Sequence, residues 1–260
     1  MSRHPFIVAH RGLSATFPEN TLPAFERALE LPVDAIEFDL HPTRDGRIVV
    51  THDDTLERCS NGRGPVREKT LAELKALDFG AWKSPRFAGT RIPEFNELLD
   101  LVERKRPGLF LCVELKENNP ECAEAALREL RRRNYLHNCS IISFHPEMLR
   151  FAENFEPNLE LHGFEPTGMS ETERDDYFRM IRRIGLWHLD ATAELVAHYH
   201  HLGLKVDVWA PDEPASFERA VSIGVDFITT NAADVITAAA GRIGTASASG
   251  RDPQNNRGAN

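Results

Sequence analysis

The sequence predicts an α/β fold, a (β/α)8 TIM barrel with a small insertion between the second and third barrel strands. Three observations carry that expectation. Eight short apolar, β-branched runs recur between residues 6 and 231, and most are followed by a stretch of helical periodicity. Such alternation makes parallel strands joined by crossover helices. The chain has 260 residues, 41% of them apolar and 27% charged, enough for one large core and too polar for a bilayer. No G-x-G-x-x-G turn follows the first strand, which disfavours the rival architecture, a doubly wound open sheet.

Taken in order, the strand candidates are Phe6 to His10, Ala35 to Leu40, Leu109 to Lys116, Ser140 to Phe144, Leu159 to Gly163, Gly185 to Asp190, Lys205 to Ala210 and Asp226 to Asn231. The intervening helices are expected over Leu22 to Leu31, Phe95 to Arg106, Glu121 to Arg133, Pro146 to Asn154, Glu171 to Arg183, Ala193 to Leu202, Pro214 to Ile223 and Ala232 to Ala240. In the first helix, Asn20 or Thr21 is the expected cap, and Leu22, Phe25 and Leu29 form the stripe facing the core. One gap breaks the rhythm: the long interval between the second and third strands holds a further run, Ile48 to His52, after the turn Thr43-Arg44-Asp45-Gly46. Asp-Gly reads as a hairpin turn, and a hairpin symmetric about Asp45-Gly46 sets His52 opposite Asp39. Residues 53 to about 92 read as an inserted cap bearing Phe79, Trp82 and Phe87. Those aromatics suit either a small core of the cap's own or a shelter for an acyl chain. The catalytic domain is expected to span residues 1–240, with a disordered tail over 241–260, a stretch rich in Gly, Ser, Asn and Ala.

Lys plus Arg total 31 against 40 Asp plus Glu, a formal charge of -9, so gripping nucleic acid is not the expected task. A local cationic site for a small anion remains compatible with that balance, because salt confines most charge effects to about 8 Å. The four cysteines are scattered without a C-x-x-C pair, as in a reducing compartment. The first residues carry no signal-peptide apolar core and no run of ~20 apolar residues occurs, so the expectation is a cytoplasmic protein without stable membrane insertion.

In such a barrel the reactive groups sit at the carboxyl ends of the strands. Glu37 and Asp39 are two apart on one strand, so both leave its inner face. Glu114 arrives from the neighbouring strand. Buried carboxylates that close share a proton or are bridged by a cation, and three oxygen donors suit Mg2+ or Ca2+ better than zinc. His10 and His52 are side chains able to give and take protons near neutral pH. Zinc would recruit them as ligands instead and leave no group to move protons. Arg11 and Lys116 are expected to hold an anionic substrate, or else to pair with the acids. Glu19 fits either contact with the site or a helix-start role, and Asp53, next to His52, either orients an imidazole or has no part in the site.

The run His10-Arg11-Gly12, Pro18-Glu19-Asn20-Thr21, Ala24-Phe25, Glu37-Phe38-Asp39, and Thr43-Arg44-Asp45-Gly46 through His52-Asp53 resembles the glycerophosphodiester phosphodiesterase family. The likeness continues through Leu56-Glu57-Arg58, the segment Leu77 to Pro93, Glu114-Leu115-Lys116, Ser143-Phe144 and Trp209, covering nearly all of residues 6–236. It implies a barrel hydrolase that cleaves a small-molecule glycerophosphodiester to an alcohol and sn-glycerol 3-phosphate. It makes His10 and His52 the acid and base, Glu37, Asp39 and Glu114 the metal ligands, Arg11 and Lys116 the phosphate binders, and Phe144 and Trp209 further substrate contacts. It also implies that the substrate's own 2-hydroxyl attacks first, giving a cyclic phosphate that water opens. Which histidine is the base stays open. The sequence departs from the family at Ala210-Pro211-Asp212, where Thr-Val-Asn is more usual, which leaves that loop's part in the pocket open. Two other readings share the residues: a lysophospholipase D or sphingomyelinase D type activity, and a noncatalytic phosphodiester-binding barrel.

Overall fold

The structure, a computed structural model, describes residues 5–249, with side chains to residue 242. Its barrel strands are β1 (Phe6–His10), β2 (Ala35–Pro42), β4 (Phe110–Leu115), β5 (Cys139–Ile142), β6 (Glu160–Phe164), β7 (Arg183–Trp187), β8 (Lys205–Trp209) and β9 (Phe227–Thr230). Consecutive members of this series pair in parallel, and β9 pairs with β1 to close the cylinder. A short strand, β3 (Ile48–Val50), adds to β2 antiparallel. The helices are α1 (Leu22–Ala28), α2 (Leu71–Lys75), α3 (Phe95–Lys105), α4 (Pro120–Arg132), α5 (Pro146–Phe155), α6 (Glu171–Met180), α7 (Ala193–His201), α8 (Pro214–Ser222) and α9 (Ala233–Ser249). Among the described residues no helix is long and apolar enough to cross a membrane.

Two cores follow from the strand alternation. Outward-facing strand residues pack beneath the helices, as where α4 buries Ala123, Ala126, Leu127 and Leu130, the i, i+3, i+4, i+7 stripe of one helix face. Inward-facing Val8, Ala35, Cys112 and Phe227 fill the lower barrel together with Phe6 and Phe110, and Ile142 packs on this cluster from the floor of the cavity above. A charged side chain shares that interior. Arg183 is fully buried, stacked 3.5 Å from the Phe227 ring centre and paired with Glu160. This explains a boundary the sequence concealed: Arg182-Arg183 reads as the end of a helix, whereas α6 stops at Met180 and Arg183 opens β7, two residues before the strand start expected at Gly185.

Three further expectations are corrected. Thr21 stands at the N-cap of α1 as expected, but neither it nor Asn20 caps with its side chain: Thr21 Oγ1 donates to the Pro18 carbonyl at 2.6 Å, and Asn20 Nδ2 donates to Asp39 Oδ2 at 2.7 Å. The hairpin loop has three residues, Arg44, Asp45 and Gly46, closed by the Thr43 N–H on the Arg47 carbonyl, with Gly46 at φ 72 in the left-handed region. The register is therefore one residue off the symmetric expectation, Leu40 facing Val50, and it is Thr51 that reaches the Asp39 carbonyl. The expected tail begins inside α9, which runs on to Ser249; residues 250–260 lie outside the described residues.

The segment between β3 and α3 forms the cap. It has its own core, in which Leu56, Val66, Leu74, Phe79 and Ile92 gather on Val49. Phe87 instead packs on Phe17 at a ring separation of 5.2 Å, and Trp82 stays partly exposed with its indole N–H on the Phe79 carbonyl.

Candidate active site

The first strand delivers its residues through a tight turn. Arg11 and Gly12 both have positive φ, 56 and 82, and a Cβ on Gly12 would lie 2.6 Å from the Ala24 backbone. Only glycine fits there, and the left-handed Arg11 is a strained residue of the kind that clusters at functional sites. The turn points the Arg11 N–H at Glu37, whose Oε2 lies 3.1 Å away, and its guanidinium at Asp39 Oδ2, 3.2 Å from Nε, and Glu19 Oε1, 2.8 Å from NH1. Glu19 thus joins the rim by holding Arg11, and it pairs with Arg58 as well.

Alternation on β2 and the parallel register with β4 bring Glu37, Asp39 and Glu114 together. One carboxylate oxygen from each lies within 4.8 Å of the others, and all three residues are buried. Glu37 Oε1 and Asp39 Oδ1 have no hydrogen-bond partner among the described residues. Lys116 Nζ sits 2.7 Å from Glu114 Oε1 and 3.6 Å from Asp39 Oδ1. Burial and then the negative charge of Asp39 push Glu37 well above the usual carboxylate range and Glu114 up to about 7. Burial opposes the ionisation of Asp39 too, but the charges of Arg11 and Lys116 outweigh it and hold that carboxyl low. The cluster is therefore short of positive charge. Oxygens on opposite sides of a Ca2+ ion at 2.3–2.6 Å lie up to about 5.2 Å apart, and about 4.2 Å for Mg2+, so the trio and its orphaned oxygens fit a hard divalent cation.

The two histidines flank this cluster with matched arrangements. His10 Nδ1 lies 2.7 Å from Asn231 Oδ1; the Asn231 amide donates to Asp212 Oδ2 at 2.8 Å, which makes Oδ1 the acceptor. The proton is accordingly on Nδ1, and Nε2 is left free, 3.7 Å from Glu37. His52 Nδ1 lies 2.6 Å from Asp53 Oδ1, and Arg58 fixes that carboxylate from the far side. Asp53 is held down to about 2, by its Arg58 hydrogen bond first. Burial, followed by the positive charge of Arg11, lowers His10 to about 4, and burial lowers His52 as well. After β3 the chain bends, and His41 holds the turn by donating from Nε2 to the His52 carbonyl at 3.0 Å.

His10, Arg11, Glu37, His52, Glu114, Lys116, Phe144 and Trp209 line one cavity of about 120 Å3 at the carboxyl ends of the strands, with Asp39 buried beside it. The structure thus gathers every residue expected at the site. Phe144 is 57% exposed and stacks on Phe164 at 3.6 Å between ring centres, and Trp209 meets Phe164 edge-on at 5.3 Å. An outer groove lined by His41, Asp53, Asp54, Arg67, Glu117 and His145 adjoins the cavity, and His52 and Lys116 belong to both. Sequence reasoning missed Asn20, Phe164, Asn231 and Asp212. Asp212 lies in the loop whose departure from the usual Thr-Val-Asn left its part open. It accepts hydrogen bonds from Thr230 Oγ1, the Asn231 N–H and the Asn231 amide, and so fixes the partner of His10.

The sequence profile of the glycerophosphoryl diester phosphodiesterase family matches residues 10–235. A glycerophosphodiester phosphodiesterase of Caldanaerobacter subterraneus is 33% identical over 228 residues, covering 86% of this chain and 93% of that one. The crystal structure of a glycerophosphodiester phosphodiesterase from Agrobacterium tumefaciens superposes with a TM-score of 0.77 at 27% identity, over 90% of this chain and 99% of that one. A phosphodiesterase from Oleispira antarctica, solved with its product sn-glycerol-3-phosphate, shares the fold with a TM-score of 0.81 at 24% identity, over 92% and 97% of the two chains. With barrel, site and relatives in agreement, the chain belongs to the glycerophosphoryl diester phosphodiesterase family and is an enzyme that hydrolyses glycerophosphodiesters.

Proposed function

We propose that the enzyme releases an alcohol and sn-glycerol 3-phosphate by acid–base displacement at phosphorus, with His10 as the first base and His52 as the first acid. In this reading Glu37, Asp39 and Glu114 hold one divalent cation, Mg2+ or Ca2+. The observation that carries it is the pair of imidazoles, each tied at Nδ1 and free at Nε2, lining the same cavity as the buried acidic trio. When bound, the cation neutralises the trio and supplies Lewis-acid stabilisation to a phosphoryl oxygen.

Arg11 and Lys116 face the cavity and bind the remaining phosphate charge, the former through its planar fork and the latter as a point charge. His10 lines only the inner cavity, whereas His52 lines both the cavity and the outer groove. That asymmetry supports the division of roles. His10 Nε2 takes the proton of the substrate's 2-hydroxyl as its oxygen bonds to phosphorus, and the alcohol departs through the groove with a proton from His52 Nε2. Burial disfavours a charged His52, and the anionic phosphodiester works in the opposite direction on the ring it faces. Water then opens the cyclic phosphate with the roles reversed, His52 removing its proton and His10 returning one to the 2-hydroxyl.

A coupled assay for glycerol 3-phosphate release, run over several head groups with Mg2+, Ca2+ or chelator, tests the proposal. Cation-dependent release with a trappable 1,2-cyclic glycerol phosphate is expected. A full rate in chelator removes the cation from the scheme, and release of 18O-labelled product without the cyclic species removes the internal attack.

A further inference from the structure

We propose that His162, Asp207 and Thr229, at the inner wall of the cavity, form a recognition site for a free terminal hydroxyl of the substrate's polyol, and so select glycerophosphodiesters over their acylated counterparts. The inference rests on the reading that the glycerol side of the substrate enters the inner cavity and the alcohol leaves through the groove.

All three residues line the same cavity as the two catalytic histidines. His162, on β6, is 4% exposed, and neither ring nitrogen has a hydrogen-bond partner among the described residues. Its Nδ1 lies 3.9 Å from Asp207 Oδ2 on β8. That is too long for a direct hydrogen bond, which spans about 2.7–3.2 Å, but one oxygen placed about 2.8 Å from each would bridge the pair. Asp207 is itself 2% exposed, and both its oxygens are within reach of one Thr229 hydroxyl, at 3.0 and 3.1 Å. A carboxylate offers about four acceptor positions, so acceptor capacity remains.

The charges around the gap select a neutral guest. Burial, then the charge of Arg183, keeps the His162 ring neutral, with one donor and one acceptor. Burial raises Asp207 to about 6, leaving it ionised at neutral pH. An anion would face the Asp207 charge, and a cation would face Arg183, whose NH1 is 3.8 Å from Asp207 Oδ2. A hydroxyl satisfies both sides, accepting from the imidazole N–H and donating to the carboxylate. The wall itself is built close: a Cβ on Gly185 would fall 2.9 Å from His162 Nε2 and 2.6 Å from the Phe164 ring. Esterifying the hydroxyl removes its donor and sets an acyl carbonyl against that close-built wall. A site built to hydrogen-bond a substrate hydroxyl leaves its own buried polar groups unpaired when the hydroxyl is missing, which is the strongest form of discrimination by binding.

The test compares kcat/KM for glycerophosphocholine, for its analogue lacking the terminal hydroxyl and for 1-acyl lysophosphatidylcholine, in wild type, His162→Leu and Asp207→Asn. Wild type should favour glycerophosphocholine over the deoxy compound by at least about tenfold, and each variant should lower that ratio by at least about threefold. A ratio near one in wild type, or unchanged in both variants, overturns the hydroxyl site alone. If His162→Leu loses its cooperative melting transition, Asp207→Asn decides. Turnover of neither glycerophosphocholine nor its deoxy analogue by wild type overturns the catalytic reading as well, so the two failures are distinct.

Discussion

Replacing Asn231 by Leu tests whether His10 acts as a base held in one tautomer. The substitution keeps the approximate shape and removes the Oδ1 acceptor 2.7 Å from His10 Nδ1, an atom that also receives Ser14 Oγ at 3.0 Å. Without that acceptor no group among the described residues keeps the proton on Nδ1, and the ring is free to carry it on Nε2, where it cannot serve as a base. The hydrogen bond matters most when His10 becomes an imidazolium in the transition state. A bond to a charged group contributes about 1.5–3 kcal/mol, which at 1.36 kcal/mol per decade is a loss in kcat of about 10- to 150-fold. Deleting the base altogether in His10→Ala should cost more, within the ~10²–10⁴ typical of general acid–base catalysis. Because Asn231 acts through His10, the double variant should be no slower than His10→Ala alone. Steady-state release of glycerol 3-phosphate from glycerophosphocholine provides the readout. An Asn231→Leu enzyme with wild-type kcat, or a double variant whose losses simply multiply, would refute the reasoning.

Asp53→Asn weakens the orienting contact on His52, and kcat is expected to fall about tenfold or more while cation affinity measured by calorimetry stays unchanged. Folding should also report the buried His10. Its pKa of about 4 in the fold lies below the ordinary 6.5, so the unfolded chain binds the extra proton first; stability from this group is complete above pH 6.5 and falls as the pH drops toward 4. Urea unfolding of wild type against His10→Gln over that window should show a difference of about 3 kcal/mol, at 1.36 kcal/mol per pH unit. Phe79→Ala empties the centre of the cap core, where Phe79 is 4% exposed, and should cost about 3–5 kcal/mol in the same measurement.

The alternation of apolar runs was enough to read the eight barrel strands, because a parallel barrel buries both faces of every strand. The acidic trio was legible for a local reason: Glu37 and Asp39 stand two apart on β2, and Asp39 pairs across the sheet with Glu114. What the sequence concealed lay in contacts between distant segments. Asn231 supports His10 from 221 residues away, and Asp212 supports Asn231 from the preceding loop, with no spacing that announces either. The β2–β3 register turned on whether the loop had an even or odd number of residues, a choice decided by the left-handed Gly46. Arg183 was hidden because hydropathy cannot foresee a guanidinium buried among Glu160, Asp207 and the Phe227 ring.

Calorimetric titration of the enzyme with Mg2+ and with Ca2+ measures the central claim most directly. The account predicts one site that Glu37→Gln, Asp39→Asn and Glu114→Gln each weaken, while His10→Ala and His52→Ala bind the ion as wild type does and turn over substrate ~10²–10⁴-fold more slowly. Loss of the ion in either histidine variant, or undiminished binding in the carboxylate variants, would contradict it.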